Sequence, residues 1–195
     1  MSKAQSTKEQ ILKSALHLTS KFGLESLSIG ELAKSVGMSK SGLFGHFKSK
    51  EKLQIMVMDY AADNFVRKII KPAIKEKRGL ARLNAMMINW KTWSGTYMPG
   101  GCPFLSSIVE FDDRPGKVRD HIQKLQNQMI GSFERALEIA MLENEIKKSS
   151  NIELAAYQIY SCMIGYHIYN RLMAHKDAHK MFSISIEEII NNLKA

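Results

Sequence analysis

Two short helix signals separated by a glycine constrain the fold of this chain more than any other feature. Ser28-Ile29-Gly30-Glu31 matches a capping box, in which a Ser and a Glu side chain satisfy the first backbone N–H groups of a helix. Gly37 ends that helix, and Ser39 can cap a second one whose apolar residues Leu43 and Phe47 lie one turn apart. Two short helices joined by a tight turn are typical of a helix-turn-helix unit, whose second helix lies in the major groove of DNA.

The rest of the chain also carries helical patterns, and no alternating stretch is long enough to predict a strand. The first helix is predicted from Thr7 to Phe22, and the fourth from Ser49 to Lys71, where Pro72 should end or kink it. Five further helices are predicted at residues 80–93, after Pro103, and at residues 117–142, 152–173 and 184–193, with a loop at residues 94–101. The predicted fold class is therefore all-α, with about nine helices.

Charge is concentrated near the beginning of the chain. The 195 residues include 28 Lys and Arg against 19 Asp and Glu, and residues 1–50 alone hold eight Lys against three acidic residues. This excess favours polyanionic partners. It also predicts two functional regions, over residues 1–50 and 51–195. The polar start and the lack of an apolar run of about 18 residues predict a cytoplasmic protein without membrane contact.

The second short helix is predicted to present a nearly bare ridge to DNA. With Leu43 and Phe47 inward, the small residues Ser41, Gly42 and Gly45 fall on the outermost face. Such a face lets the backbone approach the groove floor, but it leaves base readout mainly to Lys40 and Ser41. The predicted DNA-binding residues, including phosphate contacts from the helix ends, are Ser28, Ser39, Lys40, Ser41, Phe44, His46, Lys48 and Lys50.

The stretch from Thr7 to Tyr60, and above all the segment 28–53, SIGELAKSVGMSKSGLFGHFKSKEKL, closely resembles the DNA-binding domain of TetR-family regulators. The resemblance implies a homodimeric transcriptional regulator, usually a repressor, that binds a palindromic operator and is released by a small-molecule inducer. It also implies a helix-turn-helix domain followed by a ligand-binding and dimerisation domain. Family members commonly have Thr at the position of Gly42 and Tyr at that of Phe44, so the resemblance implies fewer side-chain contacts with DNA here.

The predicted eighth helix supports dimerisation independently. Its apolar residues spread around much of its circumference, which is more than one packed face needs. The last helix adds a second apolar stripe. The predicted interface consists of Ala155, Ile159, Met163, Tyr166, Ile186, Ile189, Ile190 and Leu193. The alternative is a fully internal helix in the core of a monomer.

Large apolar side chains around residues 86–111 are candidates for a ligand pocket. Flexible Met side chains, of which the chain has 12, suit an adaptable cavity. The candidates are Met86, Trp90, Trp93, Tyr97, Cys102, Phe104 and Phe111, and they predict an apolar or aromatic inducer. The alternative is that the same residues only fill the core.

Cys102 is a second kind of candidate, a reactive thiol. In Gly100-Gly101-Cys102-Pro103 it lies at the predicted start of helix six, where the helix dipole favours a thiolate. This segment and the later Glu110-Phe111-Asp112-Asp113 resemble one group within the family, some members of which respond to electrophiles or oxidants. A buried structural thiol is the alternative interpretation.

No catalytic motif or cofactor fingerprint occurs in the sequence, so we expect no enzyme and no cofactor. His175 and His179 are spaced to share a metal on a helix, but no third ligand is evident, and we expect a solvated loop there. A basic protein that compacts nucleic acid without sequence preference remains an alternative to a regulator.

Overall fold

The computed structural model describes residues 3–194, with side chains from Thr7 onward, and within this range it contains nine helices and no strand. The helices are α1 Lys3–Phe22, α2 Ile29–Ser35, α3 Lys40–Phe47, α4 Lys50–Phe65, α5 Leu80–Thr92, α6 Pro103–Phe111, α7 Lys117–Leu142, α8 Ile152–Arg171 and α9 Ala178–Leu193. Helix α4 continues as a π-helical segment, Val66–Ile70, and a last turn, Lys71–Ala73, and α5 is followed by a π-helical turn, Trp93–Tyr97. The predicted all-α fold is confirmed.

The largest differences between predicted and observed helix boundaries concern three helices, and the predicted loop at residues 94–101 begins within the π-helical turn Trp93–Tyr97. Helix α1 begins at Lys3 rather than Thr7. Pro72 does not end α4, because it occupies the first turn of the short segment Lys71–Ala73 and follows a widened π turn that accommodates its ring. Helix α9 begins at Ala178 rather than at residue 184, because Ala178 and Phe182 extend the buried stripe of Ile186 and Ile190 by two turns.

The chain divides into two compact units. The first unit runs to Asn64 and includes Ser94–Lys124, and the second comprises Phe65–Trp93 and the residues from Leu125 onward. The core of the first unit includes the fully or almost fully buried side chains of Ile11, Leu16, Leu32, Leu43, Phe47 and Leu53. In the second unit Trp90 packs against Tyr166 and Phe182, with ring centroids 5.6 and 5.4 Å from its own.

In the first unit, the end of α1 and the loop after it form hydrogen bonds with two later segments of the chain, at Gly100 and at Glu110. The amide of Gly100 donates to Ser20 Oγ at 3.3 Å, and a Cβ on Gly100 would collide with the Ser20 backbone. At α6, Glu110 Oε2 accepts a hydrogen bond from Glu25 N at 2.7 Å in the loop between α1 and α2. The helices of residues 1–50 therefore share their core with α6. No helix in the described range is long and apolar enough to span a membrane.

Candidate DNA-binding surface

Helices α2 and α3 begin where their sequences predict, and Gly37 follows the end of α2. Ser28 Oγ accepts the amide of Glu31 at 3.1 Å, and Ser39 Oγ accepts the amide of Gly42 at 3.1 Å, so each short helix has a side-chain cap. Between them Gly37 has a φ of +66°, a left-handed conformation that glycine adopts at little cost. The two helices and their turn are thus defined by local interactions.

Helix α3 turns one face inward and leaves the other exposed. Leu43 and Phe47 are completely buried and anchor the helix, whereas the Phe44 ring is 52% exposed. A Cβ on Gly45 would meet no described atom within 4 Å. The exposed residues are Lys40, Ser41, Gly42, Phe44, Gly45 and His46, which is the face that the sequence assigned to the DNA groove.

The lysines at the two ends of α3 differ in their surroundings. The Lys40 stem lies over α2, since its Cε is 3.1 Å from the position of a Cβ on Gly30. Lys48 ends α3 in a left-handed conformation with φ of +64°, and its amide donates to Phe44 O at 2.8 Å. Its side chain is exposed and belongs to none of the ion pairs of the described residues. Lys48 therefore presents its full charge to solvent.

Lys50, in contrast, is held by an internal ion pair. Its Nζ donates to the Glu25 carbonyl at 2.6 Å and to Glu25 Oε1 at 3.0 Å. Arg114 Nη1 lies 3.3 Å from the same Glu25 oxygen. The hydrogen bond from Lys50, with further contributions from Gln54 and Arg114, lowers the pKa of Glu25. Lys50 thus ties the start of α4 to the loop that precedes α2, a role that the sequence analysis missed.

Glu110 has the opposite electrostatic environment. Its half-buried carboxylate faces the backbone amides of Leu24 and Glu25, and its side chain packs against Gly23, which has a φ of +91°. Burial raises the pKa of Glu110, and the two backbone amides offset part of that rise. The acidic segment after Cys102 thus contributes a contact that positions the loop preceding α2.

The predicted pocket residues lie in the packed interior of the two units, with one exception. Met86, Trp90 and Trp93 are buried in the second unit, and Cys102, Phe104 and Phe111 are buried in the first. Tyr97 is exposed. None of the seven lines the larger described cavity, a groove of about 680 Å³ in the second unit. The six buried residues therefore make core contacts in this structure, and Phe111 also lines a smaller cavity of about 250 Å³ in the first unit.

Most of the predicted dimer residues are also buried within one chain. Ala155, Ile159, Met163 and Tyr166 form the inner face of α8, and Ile186 and Ile190 form that of α9. Ile189 and Leu193 are partly exposed. These six residues pack against their own chain in this structure. Their place in an interface between two copies stays a prediction.

A different face of α8 carries exposed apolar side chains. Leu154, Tyr157 and Ile168 recur at helical spacing along it, and Leu172 continues the same stripe at the C-cap. Gly165, between them, has no described atom near the position of a Cβ. Met181 and Ile184 are exposed on α9. We call these six apolar side chains the α8–α9 apolar face. A surface of this kind is typical of an interaction site.

The remaining cysteine and histidine candidates are accounted for by packing and hydrogen bonds. Cys102 is fully buried at the N-cap of α6. His179 lies 3.1 Å from the Tyr166 hydroxyl through Nδ1, and His175 Nδ1 accepts the amide of Asp177 at 3.2 Å. Within residues 3–194 no group of three His, Cys, Asp or Glu side chains could hold a metal ion.

Two protein-family models match the chain. Residues 11–55 match the model for bacterial regulatory proteins of the tetR family, and residues 79–185 match the tetracyclin repressor-like C-terminal domain. Neither model describes an enzyme family.

Two curated relatives and two solved structures are similar to the chain. The regulator AcrR of Shigella flexneri is 38% identical over 61 residues, 31% of this chain and only 28% of the relative. The nucleoid occlusion factor SlmA of Klebsiella pneumoniae is 26% identical over 82% of this chain and 78% of that protein. A TetR regulator from Chloroflexus aurantiacus superposes with a TM-score of 0.86 at 21% identity, covering 98% of this chain and 96% of that one. AibR, crystallised with isovaleryl coenzyme A and operator DNA, gives a TM-score of 0.68 at 22% identity over 91% and 97% of the chains.

Proposed function

The chain belongs to the TetR family of bacterial transcriptional regulators, and from this premise we propose that it is a homodimeric repressor that leaves a palindromic operator when a small molecule binds. The observation that carries the DNA-binding part is the exposed, capped face of α3, anchored by Leu43 and Phe47. A helix fits the major groove, which is about 12 Å wide. A protein that regulates transcription by binding bacterial DNA is expected in the cytoplasm.

The contacts proposed for α3 follow from side-chain exposure. Lys40 and Ser41 read base edges, the exposed Phe44 ring contacts thymine methyl groups, and His46 flanks them. Lys48 neutralises a phosphate. The capped amino ends of α2 and α3, at Ser28 and Ser39, face the phosphate backbone of the DNA in this proposal. Lys50 serves mainly to hold Glu25, so we assign it a positioning role beside any phosphate contact.

Selection of bound duplexes from a random DNA pool, followed by binding measurements at fixed salt, tests this proposal. A regulator should bind its selected sequence about 10³-fold or more tightly than random duplex. Equal affinities would contradict sequence-specific regulation. They would favour the second candidate, a basic protein that binds DNA without sequence preference.

We propose that the α8–α9 apolar face joins the two copies. The large exposed side chains Tyr157, Ile168 and Leu172 would be buried on association, and Gly165 would allow close approach of two helices. In a dimer of this kind, two α3 helices about 34–36 Å apart would address an inverted repeat with half-sites one helical turn apart.

The inducer is proposed to act through the second unit and to be apolar or aromatic. To lower DNA affinity tenfold, it must prefer the DNA-incompetent state by about 1.4 kcal/mol. AibR, whose structure was solved with an acyl coenzyme A and operator DNA together, supports the idea that one such fold accommodates both partners.

Thiol sensing through Cys102 remains a second proposal for the signal. Its position at the N-cap of α6 favours a thiolate, whereas its complete burial restricts access of reagents. Alkylation should release DNA from the wild type and leave Cys102→Ser bound. Equal release of both proteins would contradict this role.

A further inference from the structure

The second unit contains a groove between α5 and α9. It has a volume of about 680 Å³, within the range typical of small-molecule sites. The two helices run in opposite directions along it. At one end Lys91 Nζ donates to Ser183 Oγ at 2.8 Å, and at the other Leu80 and Lys194 are both held by the segment Glu145–Ile146. We call this the α5–α9 groove.

The walls of the groove are mainly apolar. Met87, Phe182, Ile186 and Ile190 are buried side chains that line it, and Ile88 lines it as an exposed residue. The lining on α5 extends from Leu80 to Lys91, which is about 16 Å of helix at 1.5 Å per residue. The shape therefore favours an elongated apolar molecule over a compact polar one.

Lys91 supplies a charge at one end of this apolar lining. It is partly buried, its hydrogen-bond partner is an uncharged hydroxyl, and it belongs to none of the ion pairs of the described residues. Ser183 donates its own proton to His179 O at 3.0 Å, so its oxygen lone pairs face the ammonium. An ammonium has three donors, and two of those on Lys91 remain for an anion.

Two other charged side chains, Glu187 and Lys194, also line the groove. Glu187 lines the groove one turn beyond Ser183 and is exposed to solvent. Lys194, at the far end, donates to Asn191 Oδ1 at 2.8 Å. Both lysines have an uncharged hydrogen-bond partner, but Lys194 is exposed to solvent, whereas Lys91 is partly buried beside the apolar lining. Solvent screens an ion pair less at Lys91, so charge complementarity favours a ligand with its anionic head there and an apolar body along the groove.

We propose that the α5–α9 groove binds an unbranched fatty-acid-type monocarboxylate, with its carboxylate on Lys91 and Ser183 and its chain between α5 and α9. This inference rests on the proposed function, since it names a ligand class and a site for the inducer. The binding step itself is measurable without DNA.

Calorimetric titration of the intact protein with dodecanoate, below its micelle concentration, tests the proposal. Dodecanoate should bind, and Lys91→Met should weaken it about tenfold or more, while Lys91→Arg retains most of the affinity. Lys180→Met is the matched control, because Lys180 is an exposed lysine of α9 outside the groove, and it should leave affinity unchanged. Dodecan-1-ol should bind more weakly than dodecanoate and show no dependence on Lys91.

A second variant tests the place of the alkyl chain. Ala81 is exposed at the groove wall, so Ala81→Trp should keep the fold, verified by circular dichroism, and block both ligands. The proposal is overturned if dodecanoate does not bind, which is the result expected if a second copy covers the groove. It is also overturned if dodecanoate binds Lys91→Met or Ala81→Trp with the same affinity as the wild type. Binding of these proteins to the selected operator, measured in parallel, separates failure of this site from failure of the regulator assignment.

Discussion

Glu110 of α6 accepts a hydrogen bond from the backbone amide of Glu25, 85 residues earlier in the chain, at a distance of 2.7 Å. The carboxylate lies against Gly23, where any side chain would collide with it. Glu25 in turn binds Lys50 at the start of α4 and Arg114 just after α6. The carboxylates of Glu25 and Glu110 thus hold the loop that leads into α2. A displacement of α6 would therefore shift this loop and the proposed DNA-binding helices that follow it.

The first prediction concerns the pH dependence of unfolding. Because burial raises the Glu110 pKa in the folded state, the folded protein binds more protons than the unfolded chain between the ordinary and the raised values. The free energy of unfolding should therefore fall as pH rises through that window, and Glu110→Gln should remove this slope. Urea unfolding across a pH series measures it.

Glu25→Gln should have the opposite effect on the pH dependence of unfolding to that of Glu110→Gln. The pKa of Glu25 is lowered, so its stabilisation is present above the ordinary glutamate value and is lost as pH falls through the folded-state value. The two variants should change the pH profile in opposite directions. Parallel profiles for Glu110→Gln and the wild type would count against the buried-carboxylate interpretation.

The second prediction separates charge from backbone strain at Lys48. Lys48→Ala should weaken binding to all DNA sequences and reduce the salt slope by about one. Lys48→Gly should weaken DNA binding similarly but stabilise the fold by about 1 kcal/mol, since glycine adopts φ of +64° without the Cβ penalty. Salt-dependent titrations and urea unfolding measure the two effects. Lys180→Ala, on α9, should change neither, and an unchanged salt slope for Lys48→Ala would refute the phosphate contact.

The third prediction compares two glycines. Gly100→Ala should destabilise the protein by about 1–3 kcal/mol, because the added methyl group meets the Ser20 backbone, which cannot rotate away. Gly131→Ala is the control, since Gly131 lies inside α7 with no described atom within 4 Å of a Cβ. That substitution should stabilise the helix by about 0.5–1 kcal/mol. Equal unfolding midpoints for the two variants would contradict the close packing at Gly100.

The fourth prediction concerns the dimer. Tyr157→Glu combined with Leu172→Glu should shift the protein to a monomer, because both exposed side chains would place charges in the proposed interface. Sedimentation velocity measures the mass. Val109→Glu, at a 79% exposed position on α6, should leave the association state unchanged. If the double variant remains a dimer, the interface lies on another surface.

Local signals were enough to predict the helix-turn-helix unit. The caps at Ser28 and Ser39 and the spacing of Leu43 and Phe47 act within one or two turns, so the sequence carries them directly. The pairing of Glu25 with Lys50, and the contact of Glu110 with the α1–α2 loop, join residues far apart in sequence. No periodicity encodes such contacts, and for that reason the sequence predicts Lys50 only as a phosphate ligand.

The inner face of α8 illustrates a second limit. Apolar residues surround most of this helix, so its pattern indicates two contact surfaces without saying which one packs on its own chain. Ala155, Ile159 and Met163 turned inward against the core, and Tyr157 and Leu172 outward. Only the positions of the neighbouring helices decide between the two, and these depend on the whole fold.

The empty space beside Gly45 has an evolutionary consequence. A side chain there would point from the exposed face of α3 without meeting any described atom, and replacing glycine within a helix raises its intrinsic stability by up to about 1 kcal/mol. If α3 reads DNA as proposed, a single substitution at this position would offer a new base contact at no cost in folding. The glycine at this position leaves that route to a changed target sequence open.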